Sequence, residues 1–97
     1  MMNPIKGKIT LEDGAEYEGD MLNGVPYGKG KLTYTDGSVY EGDFVNGKFH
    51  GKGKLTYYFG DVYEGDWDND AQNGVGKMTY TDGTVTEGIF VNGLCST

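Results

Sequence analysis

The stretch Val39-Tyr40-Glu41-Gly42-Asp43-Phe44-Val45-Asn46-Gly47 decides how the whole chain is read. Large apolar and charged side chains alternate through its first seven residues, the period-2 signature of a half-buried β-strand, and Asn-Gly then supplies the positive-φ pair of a tight hairpin. Working outward, its core recurs in register as Tyr17-Glu18-Gly19-Asp20 and Tyr63-Glu64-Gly65-Asp66, 23 residues away on either side. Residues 17–39 and 40–62 share 15 identical positions of 23, and residues 63–85 share 12 of 23 with the middle window, which establishes a repeat architecture.

Each unit holds a second alternating run, such as Lys52-Gly53-Lys54-Leu55-Thr56-Tyr57-Tyr58, and turn chemistry divides the runs. Asn23-Gly24, Asn46-Gly47 and Asn92-Gly93 follow the first run, and Asp13-Gly14, Asp36-Gly37 and Asp82-Gly83 follow the second. With a breaker in every window of about a dozen residues, no helix can form. The expected fold is all-β: one elongated, curved antiparallel β-meander of about eight strands, over 6–12, 15–22, 29–35, 38–45, 52–58, 61–68, 76–81 and 84–91. At about 10 Å per repeat the rod would reach roughly 40 Å. The expected organisation is one domain, 1–97, with a half-repeat 5–16, repeats 17–39, 40–62 and 63–85, and a half-repeat 86–97.

A hairpin centred on its loop would set Asp43 opposite Lys54, Tyr40 opposite Tyr57, Gly42 opposite Leu55 and Phe44 opposite Gly53. Aromatic rings would then lie over glycines, which gives glycine a packing reason inside strands. The expected aromatic and glycine face comprises Tyr17, Gly19, Gly30, Tyr34, Tyr40, Gly42, Phe44, Gly53, Leu55, Tyr57, Tyr63, Gly65, Trp67, Gly76 and Tyr80. The opposite face would carry Glu18, Asp20, Glu41, Asp43, Glu64 and Asp66 beside Lys31, Lys54 and Lys77, a solvated ion-pair stripe.

Fifteen acids against eight lysines leave a net charge of −7 in 97 residues, with no arginine. Such a chain is a poor match for nucleic acid or an anionic membrane surface, both of which select clustered Lys and Arg. Met1-Met2-Asn3-Pro4-Ile5-Lys6 lacks the apolar core of a signal peptide, and the single cysteine, Cys95, fits a reducing compartment, so a cytoplasmic protein is expected.

The spacing of Tyr40, Gly42, Phe44, Gly47, Gly51, Gly53, Tyr57 and Gly60, repeated from Tyr17 to Gly37 and from Tyr63 to Gly83, resembles the membrane occupation and recognition nexus (MORN) repeat. The resemblance covers about nine-tenths of the chain, with departures at Ile5, Met21, Asp70 and Thr86. It implies a curved β-meander rod that works in scaffolding, cytoskeletal or organelle assembly and protein docking, with phospholipid binding as the alternative.

Candidate chemistry is sparse. Gly28-Lys29-Gly30-Lys31 and Gly51-Lys52-Gly53-Lys54 imitate phosphate loops but lack the following helix. His50 has no second histidine or cysteine partner for metal or base work. Asp66-Trp67-Asp68-Asn69-Asp70 begins like a calcium loop, yet Ala71 and Lys77 stand where Gly and Glu are required. We therefore expect no catalytic residue, no metal, no cofactor and no small-molecule substrate. The expected partner is another protein or a second copy of the chain. Tyr27 and Phe49 would be its anchors on the loops Val25-Pro26-Tyr27, Lys48-Phe49-His50 and Ala71-Gln72-Asn73, since recognition concentrates on loops. Val85, Ile89 and Val91 would be contacts on an apolar terminal edge strand, where isoleucine replaces the aspartate of earlier units.

Overall fold

The computed structural model describes residues 5–95; positions 1–4 of the expected domain, and 96–97 at the end of its last half-repeat, lie outside the described residues. Nine antiparallel strands form one sheet in sequence order. They are β1 (Ile5–Thr10), β2 (Glu16–Leu22), β3 (Val25–Thr33), β4 (Val39–Val45), β5 (Lys48–Thr56), β6 (Val62–Asp68), β7 (Ala71–Thr79), β8 (Val85–Val91) and β9 (Leu94–Cys95). The molecule measures 42 × 28 × 17 Å, the elongated meander that the repeat demands.

Two expectations about the strands are corrected. The segments 25–27, 48–50 and 71–73 are the opening residues of β3, β5 and β7, because the hairpins are closed by two residues alone. Asn46 (φ 51°) and Gly47 (φ 80°) make that turn between β4 and β5, and Val45 and Lys48 pair immediately beside it. The register also differs by two residues: Tyr40 faces Leu55, Glu41 faces Lys54 and Gly42 faces Gly53. A slip of two preserves which face each side chain occupies, so the partition into an aromatic and a charged face stands while the individual partners change.

The two-residue turn alone would move the register by four, as at Phe44↔Phe49, and a bulge restores two of them. From Phe44↔Phe49 to Gly42↔Gly53, β4 advances two residues and β5 four. Gly51, at φ 70°, turns the extra residues out, and Gly28 and Gly74 do the same in β3 and β7. The Asp43 carboxylate accepts the Lys52 N–H released there at 3.0 Å, as Asp20 does for Lys29 at 3.2 Å and Asp66 for Val75 at 3.1 Å. This is why the repeat carries aspartate at that position: it closes the bulge, with ion pairing as a second task. The pairs are Lys6–Asp20 at 3.6 Å, Lys29–Asp43 and Lys52–Asp66.

The core lies on the other face. Tyr17, Tyr40 and Tyr63 are fully buried. Each phenol lies over the glycine pair of its own hairpin, and a Cβ on Gly30, Gly53 or Gly76 would fall inside the ring. The Tyr40 and Tyr63 hydroxyls donate to the Asp43 and Asp66 carbonyls at 2.8 and 2.9 Å, and Tyr17 donates likewise to Asp20. Ring edges then join successive repeats: Tyr17 meets Phe44, Tyr40 meets Trp67 and Tyr63 meets Phe90, with centroids 5.0, 5.3 and 5.0 Å apart. Such pairs add about 0.5–1.5 kcal/mol each beyond area burial, so aromatic contacts do the work that a second layer does in a sandwich.

Candidate functional site: an aromatic groove

The curl of the sheet leaves a groove of about 470 Å³ on the aromatic side. It is lined by the apolar side chains of Leu55, Trp67 and Met78, by Tyr34 and Tyr57, and by Asp70, Ala71, Gln72 and Asn92. Among the described residues no second layer covers it.

The repeat puts these groups there. Tyr34 and Tyr57 directly follow the second strand of their units, where the chain enters the turn, and each is half-buried. Gln72 occupies the position that Phe49 holds one repeat earlier; it is buried and its Nε2 donates to the Tyr57 hydroxyl at 3.1 Å. Asp70 stands where the other units have glycine and adopts φ 70°, a left-handed conformation that an aspartate tolerates at a cost. Its N–H donates to the Phe49 carbonyl at 3.0 Å and its carboxylate accepts the Phe49 N–H at 2.8 Å. Burial raises the Tyr34 pKa, and the carboxylates of Asp70, Asp13 and Asp36 raise it further, so the phenol stays a neutral donor in a negative field. The groove therefore offers apolar floor, hydroxyl and amide hydrogen bonding, and negative charge.

The expected contact residues fall in different places. Phe49 is buried, stacked on Tyr40 at 3.8 Å with the rings 4° from parallel, so the expected loop anchor is a core residue that also lines the groove. Tyr27 is partly exposed on β3, apart from the groove. Val85, Ile89 and Val91 are exposed on β8, which is not the last strand: Leu94 of β9 pairs with Val91. Ile89 lies opposite Val75, at the position that holds Lys29 opposite Asp43 and Lys52 opposite Asp66. Here an apolar cross-strand pair replaces an ion pair, which accounts for the isoleucine within the sheet. Tyr80, expected on the aromatic face, stands exposed at the end of its strand.

Ala71 and Gln72 lay on an expected recognition segment and Asp70 stood out as a departure from the repeat, whereas Met78 and Asn92 were not expected as groove residues. A signal was legible for both: Met78 replaces the leucine of repeats one and two, and Asn92 opens an Asn-Gly turn. The Asp66, Asp68 and Asp70 carboxylates are not gathered into one site. Asp66 serves Val75 and Lys52, Asp68 lies 3.4 Å from the His50 Nδ1, and Asp70 serves Phe49. Among the described residues no cluster of three or more His, Cys, Asp or Glu is arranged for a metal.

Three consecutive segments, 17–39, 40–62 and 63–85, match the family model of the MORN repeat. No curated protein matches the chain significantly.

Proposed function

We propose that this chain, which belongs to the MORN repeat family, is a non-enzymatic docking module that holds a segment of another protein in its aromatic groove and so helps to assemble a larger complex. MORN repeats are in general protein-binding or membrane-lipid-binding units. The observation that carries the protein reading is the groove itself: rings and methylene surface beside the Tyr57 hydroxyl, the Gln72 amide and the Asp70 carboxylate. A concave apolar floor with a few directed polar groups is the common form of a recognition site. The net charge of −7 weighs against the lipid reading, since headgroups of the inner leaflet are anionic.

The test is photocrosslinking in the native cell, with p-benzoylphenylalanine placed at Tyr57 in the groove or at Glu41 on the charged face. A protein adduct specific to the Tyr57 position supports the reading. Equal labelling from both positions, or adducts to lipid alone with co-sedimentation on anionic vesicles at physiological salt, would sink it.

A further inference from the structure

The turns that follow β1, β3, β5 and β7 line up along one rim of the sheet as Leu11-Glu12-Asp13-Gly14-Ala15, Tyr34-Thr35-Asp36-Gly37-Ser38, Tyr57-Tyr58-Phe59-Gly60-Asp61 and Tyr80-Thr81-Asp82-Gly83-Thr84. In the first, second and fourth, the aspartate carboxylate accepts the N–H two residues on, from Ala15 at 3.0 Å, Ser38 at 2.8 Å and Thr84 at 2.9 Å. That bond is the reason aspartate suits this place in a turn. The third turn gives it up, with Phe59 in the aspartate position and Tyr58 in the threonine position.

The replacement is not buried. Tyr58 is 66% exposed and Phe59 53% exposed, two of the most exposed large apolar residues of the molecule. Nor is the tip loose. The Tyr58 N–H donates to the Ser38 hydroxyl at 2.9 Å, Tyr57 N–H to the Asp61 carbonyl at 2.8 Å, and the Asp61 carboxylate accepts from Thr81 N–H at 3.0 Å. Phe59 stacks on Tyr57 at 5.3 Å and meets the edge of Tyr58 at 5.1 Å. Three rings thus form a held aromatic prong, and Tyr57 makes it continuous with the groove. A departure from turn chemistry without gain in burial is the mark of a site kept for another purpose.

Charge says what fits there. The four turns carry Glu12, Asp13, Asp36, Asp61 and Asp82 and not one of the eight lysines. An aromatic prong flanked by carboxylates on neighbouring turns about 10 Å apart suits a cation whose apolar stem packs on the rings while its head meets the acids. We infer that the Tyr57–Tyr58–Phe59 prong docks an extended, Arg- or Lys-bearing segment of the partner protein, whose neighbouring apolar residues continue into the groove. This rests on the protein-docking reading and adds the chemistry of the partner. A bilayer is the poorer occupant, since insertion of the rings would carry Asp36, Asp61 and Asp82 toward the headgroups.

The experiment uses the double variant Tyr58→Thr/Phe59→Asp, which writes the sequence of the neighbouring turns into the third and so keeps the fold. Fluorescein-labelled Gly-Arg-Leu-Arg-Leu-Arg-Gly and its Glu-for-Arg counterpart serve as probes, by anisotropy at 150 mM salt and by amide shifts. The Arg peptide is expected to bind, to move the amides of residues 34–38, 57–61 and 80–84, and to lose at least tenfold in affinity with the double variant even though that variant is more acidic. The Glu peptide is expected not to bind. Equal or tighter binding by the variant would reduce the effect to net charge and overturn the proposal. Shifts confined to Leu55, Met78 and Trp67 would also overturn it while leaving groove docking intact. Co-sedimentation of the native chain, but not the variant, with phosphatidylcholine vesicles would overturn it in favour of a membrane.

Discussion

Phe49 lies flat against Tyr40, ring centroids 3.8 Å apart, and its edge meets Phe44 and Trp67 at 5.5 and 5.3 Å. One side chain therefore ties the middle repeat to the third. Pro26, Gln72 and Cys95 occupy the same place in the other units, so this stack belongs to the middle repeat alone. Phe49→Ala is expected to lower stability by about 3 kcal/mol, the usual cost of emptying a buried aromatic site. Urea unfolding followed by Trp67 fluorescence measures it, and a loss below about 1 kcal/mol would mean the stack contributes little.

The Tyr40 ring covers Gly53, where a Cβ has no room. Gly53→Ala is expected to cost about 3 kcal/mol through overpacking. Tyr40→Phe keeps the ring, loses the hydroxyl that donates to the Asp43 carbonyl and is expected to cost about 1 kcal/mol. In Tyr40→Ala/Gly53→Ala the methyl enters vacated space, so the double variant should be more stable than the sum of its parts by at least about 1 kcal/mol. Additive losses in chemical denaturation would contradict the contact.

Asp70 combines an unfavourable left-handed conformation with a hydrogen bond to Phe49. Asp70→Gly relieves the first and loses the second, and should change stability by no more than about 0.5 kcal/mol. Asp70→Ala keeps the strain and loses the bond, for an expected loss of about 1–2 kcal/mol. Thermal unfolding of the two variants should rank glycine above alanine; the reverse order would show that the turn does not need a left-handed residue.

Burial, with the Asp20 and Asp66 charges nearby, pushes the Tyr17 and Tyr63 phenols up to about 12. The folded pKa is raised, so the stability they contribute is complete below the unfolded value of about 10 and is lost as pH climbs from there toward 12. Tyrosinate absorbance at 295 nm should show a late fraction that appears together with loss of the β-sheet circular dichroism. Full titration of every tyrosine with the sheet intact would contradict their burial.

At the acid end, the Lys52 ammonium holds the Asp66 carboxyl below the usual carboxylate range, against the effect of burial and with help from the Val75 N–H. For Asp43 burial works upward, but the Lys29 ammonium and the Lys52 N–H outweigh it. Both folded values are depressed, so their stabilisation is present above about pH 4 and is lost as pH falls through the lowered values. Asp66→Asn keeps an oxygen for the Val75 N–H and removes the charge. Its melting temperature should vary less between pH 4 and pH 2 than that of the parent chain.

The sequence by itself determined an all-β meander, the order of its strands and the two faces, though not the strand ends, because period-2 alternation and Asn-Gly turns are local signals and a 23-residue repeat multiplies each of them threefold. Tyr40, Phe44, Leu55 and Trp67 were legible as core on those grounds. Only the tertiary structure decided the register, because the combination of a two-residue turn at Asn46-Gly47 with two residues turned out at the bulge after Phe49 is visible in pairing and not in polarity. That decision moved Phe49 from an expected loop into the core and made Asp20, Asp43 and Asp66 acceptors for bulge N–H groups. The groove, too, is a product of curl: Gln72 and Met78 come from β7 and Tyr57 from the turn after β5, and their sequence positions alone did not show that they would share an uncovered face. The prong at Tyr58 and Phe59 stands between the two kinds of knowledge. Its break from the turn pattern is written in the sequence, and the exposure that gives the break a purpose exists only in the folded sheet.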